Sequence, residues 1–329
     1  MLTPGLVDVH NNGAFGVDFA MADAAGWSRA LAGLAARGVT SVLPTVITAP
    51  LEELVAALGR AASFHAEPGQ ARMLGIHLEG PFLSPAHPGA HRVDWILDPA
   101  HDAVSALLAA GAGMLRMVTL APERPGGMAA VRRFVEVGIM VSLGHSDADA
   151  GITAAAVAAG ASCVTHVFNA MRPLRHRDPG LVGVALTEAR VRVGLIVDGL
   201  HVDPVACRLV FAAAAGRVMA VSDSILVAGL AAGATGWFGG GDVVLDAAGL
   251  GRRQDGTISG GGIVLDEGMR RLIHMGIDPA AALHAATEVP ADALGRPDLG
   301  RIAVGAVADL VWWDADWVPR RVWVGGIEV

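Results

Sequence analysis

Residues Cys163–Gly183 read CVTHVFNAMRPLRHRDPGLVG. The stretch begins as a short β-rich run, Cys163–Val164–Thr165, and delivers His166 where that run should end. Asn169 follows, then a loop carrying Arg172, Arg175, His176, Arg177 and Asp178 before Pro179–Gly180. A histidine at a strand end beside a cationic loop has the form of a metal ligand next to an anion site. One such histidine is more often structural, so its weight depends on the other strand ends.

Short apolar or β-branched runs alternate with Ala/Leu-rich helical stretches along most of the chain, the βαβα pattern of a parallel sheet. The predicted strands are Leu6–His10, Ser41–Val46, Met73–Leu78, Leu115–Leu120, Met140–Leu143, Cys163–Thr165, Arg192–Val197 and Val218–Val221. Helical periodicity covers Ala24–Arg37, Pro50–Phe64, Met128–Glu136, a helix capped by Ser146 or Asp147 that runs to about Ala159, and Val205–Ala215. Eight such units closing on themselves make a (β/α)8 TIM-like barrel, whose chemistry sits at the C-terminal ends of the strands. Those ends carry His10, Glu79, His145, His166, His201 and Asp223, while the N-terminal ends are apolar or small. A random scatter of twelve histidines would not favour one end of the units.

Beyond the eighth strand lies the glycine-rich stretch Gly229–Gly262, with Val243–Leu245 as a hairpin strand, and then helices near Leu265–Met275, Pro279–Thr287 and Pro290–Leu294. The tail alternates as two antiparallel strands, Ala308–Asp314 and Arg320–Val329, with Trp312, Trp313, Trp317 and Trp323 packing a small sheet against the barrel flank. The expected organisation is a barrel over residues 3–300 and a small, reduced β-appendage over 301–329.

Composition narrows the function classes. A net charge of −8 and a pI near 5.8 argue against nucleic acid or a membrane surface as partner. No apolar run reaches the roughly 18 residues of a membrane span. No basic flank precedes an apolar stretch at the N-terminus, and Cys163 and Cys207 suit reduced thiols, so a cytoplasmic location is expected. There is no lysine and no tyrosine, which excludes a Schiff base, a P-loop lysine and a carboxylated-lysine metal bridge.

Glu79, His145 and His166 come from strand ends three, five and six and can converge over the barrel mouth. Three protein ligands and an open position are the usual hydrolytic metal site. A carboxylate with two imidazoles suits Zn²⁺ first and Fe²⁺ second, ahead of Mg²⁺. An ion of that kind lowers the pKa of a bound water toward 7. Asp223, at strand end eight, is placed to accept that water's proton and pass it to a leaving group. His77 is expected to point away from the metal, and His87, His101 and His176 to lie on the surface.

These residues carry a resemblance. Pro4–His10 is similar to the first strand of the amidohydrolase superfamily. Together, His77–His91 (HLEGPFLSPAHPGAH), Ser142–Ala148 (SLGHSDA), Thr165–Gly183 (THVFNAMRPLRHRDPGLVG), Val197–Asp203 (VDGLHVD) and Val221–Ser224 (VSDS) resemble the N-acetylglucosamine-6-phosphate deacetylase family within it. The resemblance runs from about Thr3 to the C-terminus. It implies Glu79, His145 and His166 as metal ligands, Asp223 as catalytic acid/base, and His91 as a contact to the acetamido carbonyl. It implies Asn169, Ala170 and His201 as contacts to an N-acetylamino-sugar phosphate, and Arg177 as an arginine reaching the active site of a neighbouring subunit, hence a homodimer. The implied activity is metal-dependent deacetylation of N-acetylglucosamine 6-phosphate. The rivals are another N-acetylamino-sugar phosphate or N-acyl amine as substrate, and a catalytically silent sugar-phosphate binder.

Two departures from that pattern stand out. Many superfamily members open with His-x-His, which holds a second metal, whereas here the triplet is His10–Asn11–Asn12. A neutral amide is a poor ligand for Zn²⁺ or Fe²⁺, so one tightly held metal is expected, with at most a weak second ion near His10 and Asp223. The family also has some residues before the first barrel strand that form part of a small sandwich, and this chain starts almost at the strand. The small domain is then either rudimentary or missing its beginning.

Overall fold

The computed structural model describes Met1–Val329. Eight parallel strands, numbered β1–β8 here, form the barrel: β1 Leu6–Asn11, β2 Val39–Ile47, β3 Ile76–Glu79, β4 Leu115–Leu120, β5 Met140–Leu143, β6 Cys163–Val164, β7 Arg192–Ile196 and β8 Val218–Val221. They pair in chain order from β1 to β8. The ring closes at its upper rim, where Asp223 N–H donates to the His10 carbonyl at 3.0 Å and Asn12 N–H to the Ser224 carbonyl at 2.8 Å.

A helix follows every strand. Asp23, Asp149 and Asp203 cap three of them by accepting from the N–H groups of Gly26, Ile152 and Val205. The cap of the fifth-unit helix is therefore Asp149, and the expectation of Ser146 or Asp147 is corrected. Ser146 Oγ is occupied with Glu123 at 2.7 Å instead. Two helices, His101–Ala110 and Gly180–Thr187, were not anticipated, and neither has a side-chain cap bond at its N-terminus.

The barrel interior is layered. Its lower part is apolar, with Val7, Leu43, Met117, Cys163 and Met219 closed from below by Val289, Ala291 and Leu299. Above lies a polar layer. His77 Nε2 meets Thr119 Oγ1 at 2.7 Å, and Thr119 Oγ1 meets Thr165 Oγ1 at 2.7 Å. His77 thus points into the barrel, its ring 4.7 Å from that of His10. The expectation that it points away is corrected: His77 and Glu79 are two apart on one strand and share a face. His87 is half-buried and paired with Asp147 at 3.0 Å, not a free surface residue.

The glycine-rich stretch holds more than a hairpin. Thr235–Phe238, Gly241–Leu245, Leu250–Arg252 and Ile258–Gly261 form a four-stranded antiparallel sheet inserted before the last barrel helix, Leu265–His274. The tail forms a second antiparallel sheet from Leu310–Trp313, Pro319–Val324 and Ile327–Glu328. N-terminal Leu2–Pro4 pairs with its first strand as Leu2 to Trp312 and Pro4 to Leu310. Trp313 anchors this sheet: it is buried and donates Nε1–H to Thr3 Oγ1 at 2.7 Å. Val311 and Val322 pack with Trp313 in the main core, and Trp312 stays exposed. No helix is long and apolar enough to cross a membrane.

Candidate metal centre and substrate pocket

Three strands end in the same way. β5, β6 and β8 stop at Leu143, Val164 and Val221, and the second residue beyond each is His145, His166 and Asp223. Each of these takes a left-handed backbone, with φ of 48°, 28° and 46°. Such conformations cost on the order of 1–3 kcal/mol per residue and persist where the surroundings over-determine them. Their effect here is to turn three functional side chains back over the barrel mouth, toward Glu79 at the end of β3.

His145 Nε2 lies 3.1 Å and His166 Nε2 2.9 Å from Glu79 Oε1, and the two nitrogens are 3.1 Å apart. All three residues are buried. His145 Nδ1 donates its hydrogen to the His87 carbonyl at 3.0 Å, which leaves the Nε2 lone pair facing the cluster. A triangle of electron-rich atoms at this spacing calls for a cation at its centre, and a carboxylate with two imidazoles is the donor set of Zn²⁺ or Fe²⁺. The residues therefore fit a divalent ion. His10, Glu79 and Asp223 form a second, adjoining group. In it His10 Nε2 is 3.2 Å from both Glu79 Oε2 and Asp223 Oδ1.

The electrostatics follow from burial and these contacts. Burial alone would raise the Glu79 carboxyl, but His10, His145 and His166 hold it well below the usual carboxylate range. Burial disfavours the His10 cation, yet the carboxylates of Glu79 and Asp223 push it up to about 9. His91 is driven the other way, to about 4, by burial and then by His145. Its Nδ1 accepts from the Thr48 N–H at 3.4 Å and meets Thr48 Oγ1 at 2.8 Å. An amide N–H can only donate, so the His91 hydrogen sits on Nε2, 3.6 Å from Glu79 Oε2.

One open pocket gathers Glu79, His91, His145, His166, Asn169, Ala170, His201 and Asp223. His10 lies just behind it, in contact with Glu79 and Asp223. Asn169 Nδ2 donates to the His166 and Val167 carbonyls, pinning the turn that carries His166. His201 Nδ1 meets Asp198 Oδ2 at 2.6 Å. Burial opposes the His201 cation, but the hydrogen bond and charge of Asp198 prevail and raise its pKa. Arg177 is the exception: it is exposed and lies outside the pocket lining. Arg172 is committed to Asp147 and Asp178 rather than free for an anion.

The pocket also contains residues that strand-end reasoning missed. Ile47, Ile196, Phe238, Ile258, Ser259 and Gly260 also line it, four of them from the inserted sheet, as do Asn12, Gly89 and Ala90. Arg253 ties that sheet to the His91 loop, donating to the Ala90 and Gly239 carbonyls at 2.8 Å each. Glycines recurring through residues 256–262 were the available signal for close backbone approach. At Gly260, with φ of 147°, a Cβ would meet the Asp223 carbonyl at 2.8 Å.

A model of the amidohydrolase family matches residues 1–328. The chain belongs to the amidohydrolase family. N-acetylgalactosamine-6-phosphate deacetylase of Escherichia coli O157:H7 is 36% identical to it over 99% of this chain and 87% of that protein. N-acetylglucosamine-6-phosphate deacetylase of Bos taurus is also 36% identical, over 99% of this chain and 82% of the relative. Among solved structures, a mutant N-acetyl-D-glucosamine-6-phosphate deacetylase from Mycobacterium smegmatis, in complex with N-acetyl-D-glucosamine-6-phosphate, superposes with a TM-score of 0.92. It is 34% identical, over 99% of this chain and 86% of that one. The enzyme from Pasteurella multocida gives a TM-score of 0.94 at 32% identity, over 100% and 86%. The amidohydrolase family is metal-dependent, and this member has the buried carboxylate–imidazole cluster that such chemistry needs.

Proposed function

We propose that this amidohydrolase removes the acetyl group of N-acetylglucosamine 6-phosphate, yielding glucosamine 6-phosphate and acetate. One observation carries the reading: Glu79, His145 and His166 converge in a single pocket with Asp223 and the donor face of His91. The deacetylase relatives at 33–36% identity support the substrate class. Glu79, His145 and His166 would hold one divalent ion, Zn²⁺ or Fe²⁺. When bound, such an ion acidifies a water and polarises a carbonyl.

The chain's own groups do the rest. Asp223 accepts the proton that water gives up as its oxygen bonds to the acetamide carbon. As the C–N bond breaks, Asp223 returns that proton to nitrogen, so acetate and the amine leave with atoms in balance. His91, neutral and protonated on Nε2, donates toward the carbonyl oxygen as negative charge grows there. Asn169, Ala170 and His201, whose cation Asp198 favours, face the sugar phosphate. Arg177 of a second copy reaches the phosphate, so the working unit is a homodimer, and the location is cytoplasmic. His10 and Asp223 hold a second ion only weakly, because Asn12 offers an amide where an imidazole would be needed.

The deciding experiment is acetate release from N-acetylglucosamine 6-phosphate by chelator-stripped protein, with Zn²⁺ or Fe²⁺ added back. Activity restored at one equivalent supports the reading, and a need for two equivalents would make the His10–Asp223 site essential. No activity with any metal overturns it in favour of another N-acyl substrate or a silent binder. The galacto epimer belongs in the same assay, because the Escherichia coli relative is named for it.

A further inference from the structure

Arg253 is half-buried beside the inserted sheet, and the partners of its guanidinium are carbonyls. Nη2 donates to those of Ala90 and Gly239 at 2.8 Å each. The side chain lies across the Gly239–Gly241 turn. A Cβ at Gly239 would stand 3.1 Å from Nη2, and one at Gly241 3.2 Å from Nε, so glycine is what lets the guanidinium lie this close. The same turn meets the His91 loop at a second place. A Cβ at Gly240, whose φ is 81°, would lie 2.5 Å from Arg92 Cδ and 2.9 Å from the Trp95 ring. Arg92 in turn stacks on Trp95, 4.7 Å from its centroid. His91 therefore stands between two contacts with one turn, through Ala90 on one side and Arg92 on the other. Its ring is held by Thr48, and its N–H by the Pro88 carbonyl at 3.0 Å. Thr48 sets the tautomer of the ring, and the turn sets where the backbone carrying it stands.

We infer that Arg253 is a positioning residue of the deacetylation, holding His91 in place by clamping the Ala90 carbonyl to the Gly239–Gly241 turn. The inference rests on the proposed deacetylase reading and on the donor role given there to His91. A donor serves a developing oxyanion only within about 3 Å, and a displacement of about 1 Å can cost about 100-fold in rate. The guanidinium suits this task because its planar donor group is preorganised and always charged. The effect falls on kcat, since the oxyanion forms only in the transition state. Phe238, Ile258, Ser259 and Gly260 reach the pocket from the same inserted sheet, so Arg253 also joins a wall of the pocket to the residue that acts on the carbonyl.

The test is a double-mutant cycle of Arg253→Met with His91→Ala, reading kcat and KM for N-acetylglucosamine 6-phosphate. Methionine keeps the length of the side chain and removes its donors. Gly240→Ala, which pushes the same turn off Arg92, replaces it in the cycle should methionine disturb folding. With His91 present, Arg253→Met is expected to lower kcat about 10- to 100-fold with little change in KM. With His91 already replaced by alanine, the same substitution should change kcat by less than about twofold. Arg253→Lys, which still offers donors to the two carbonyls, should recover most of the lost kcat. Equal falls in both backgrounds, an unchanged kcat in the first, or a loss confined to KM overturn the inference. Full kcat in His91→Ala overturns it through the role of His91 alone, with the deacetylase reading intact. Wild-type protein that leaves the acetamide intact overturns that reading, and the inference with it.

Discussion

The His87 carbonyl accepts the Nδ1–H of His145 at 3.0 Å, so a backbone oxygen on the loop after β3 sets the tautomer of a candidate metal-binding imidazole on the loop after β5. Gly89, two residues along the same loop, has a left-handed φ of 56°, and a Cβ there would stand 3.0 Å from His145 Cε1. The loop's position against the ring is what aims Nε2 at Glu79. The partner that orients a metal-binding imidazole typically controls affinity by 10- to 100-fold.

Gly89→Ala is therefore expected to weaken metal binding by about 10- to 100-fold, through both the strained φ and the contact with His145. Competition with a fluorescent chelator measures the affinity directly. The kcat of fully metal-loaded protein should fall much less than the affinity does.

His91 is expected to act on turnover and not on metal retention, since its Nε2 stands 3.6 Å from Glu79 Oε2 and it is not among the three clustered donors. His91→Ala should lower kcat by about 10²–10³, the usual loss for one donor aimed at a developing oxyanion. Metal analysis of the purified variant should still give one equivalent.

Asp198 raises the pKa of His201, whose ordinary value is 6.5. A raised folded-state value means the pair's stabilisation is fully present below 6.5 and is lost as pH rises through the folded value. On the proposed reading the His201 cation faces the phosphate and follows the same course. Wild-type KM for the 6-phosphate should thus stay low past pH 6.5 and climb only at higher pH. In Asp198→Asn, burial acts on His201 without an opposing carboxylate, so KM should already be about tenfold higher near neutral pH. KM measured across pH 5.5 to 9 for both proteins checks this.

Burial pushes the Cys163 and Cys207 thiols up to about 11, and neither forms a disulfide. Thiolate is the reactive form, so both should resist a thiol reagent at pH 8 in native protein. Two equivalents should react once the chain is unfolded in denaturant. Fast labelling of the native state would show that the barrel interior, where Cys163 sits, opens readily.

Much of the site was legible because a parallel barrel imposes a simple rule. Apolar runs ending in His145, His166 and Asp223 mark strand ends on their own, and the fold brings every strand end to one rim. The helices at His101–Ala110 and Gly180–Thr187 were not anticipated, and a missing cap does not account for it, since the anticipated helices Leu51–Ser63 and Gly127–Glu136 lack one too. His77 was misjudged although its two-residue spacing from Glu79 already placed both on one face.

The sequence by itself determined the order of elements, the ligand types and the absence of a second imidazole at Asn12, because these depend on local pattern and side-chain chemistry. Only the tertiary structure decided the contacts made through backbone or across distant segments. The His87 carbonyl on His145, the Thr48 amide that sets the His91 tautomer, and the Asn12 amide on Asp223 all join elements far apart in the chain. The inserted sheet held over the pocket by Arg253 is of the same kind. A hydrogen bond has a direction and a reach of about 3 Å, and no pattern in one segment encodes where the acceptor of another will stand until the barrel has closed.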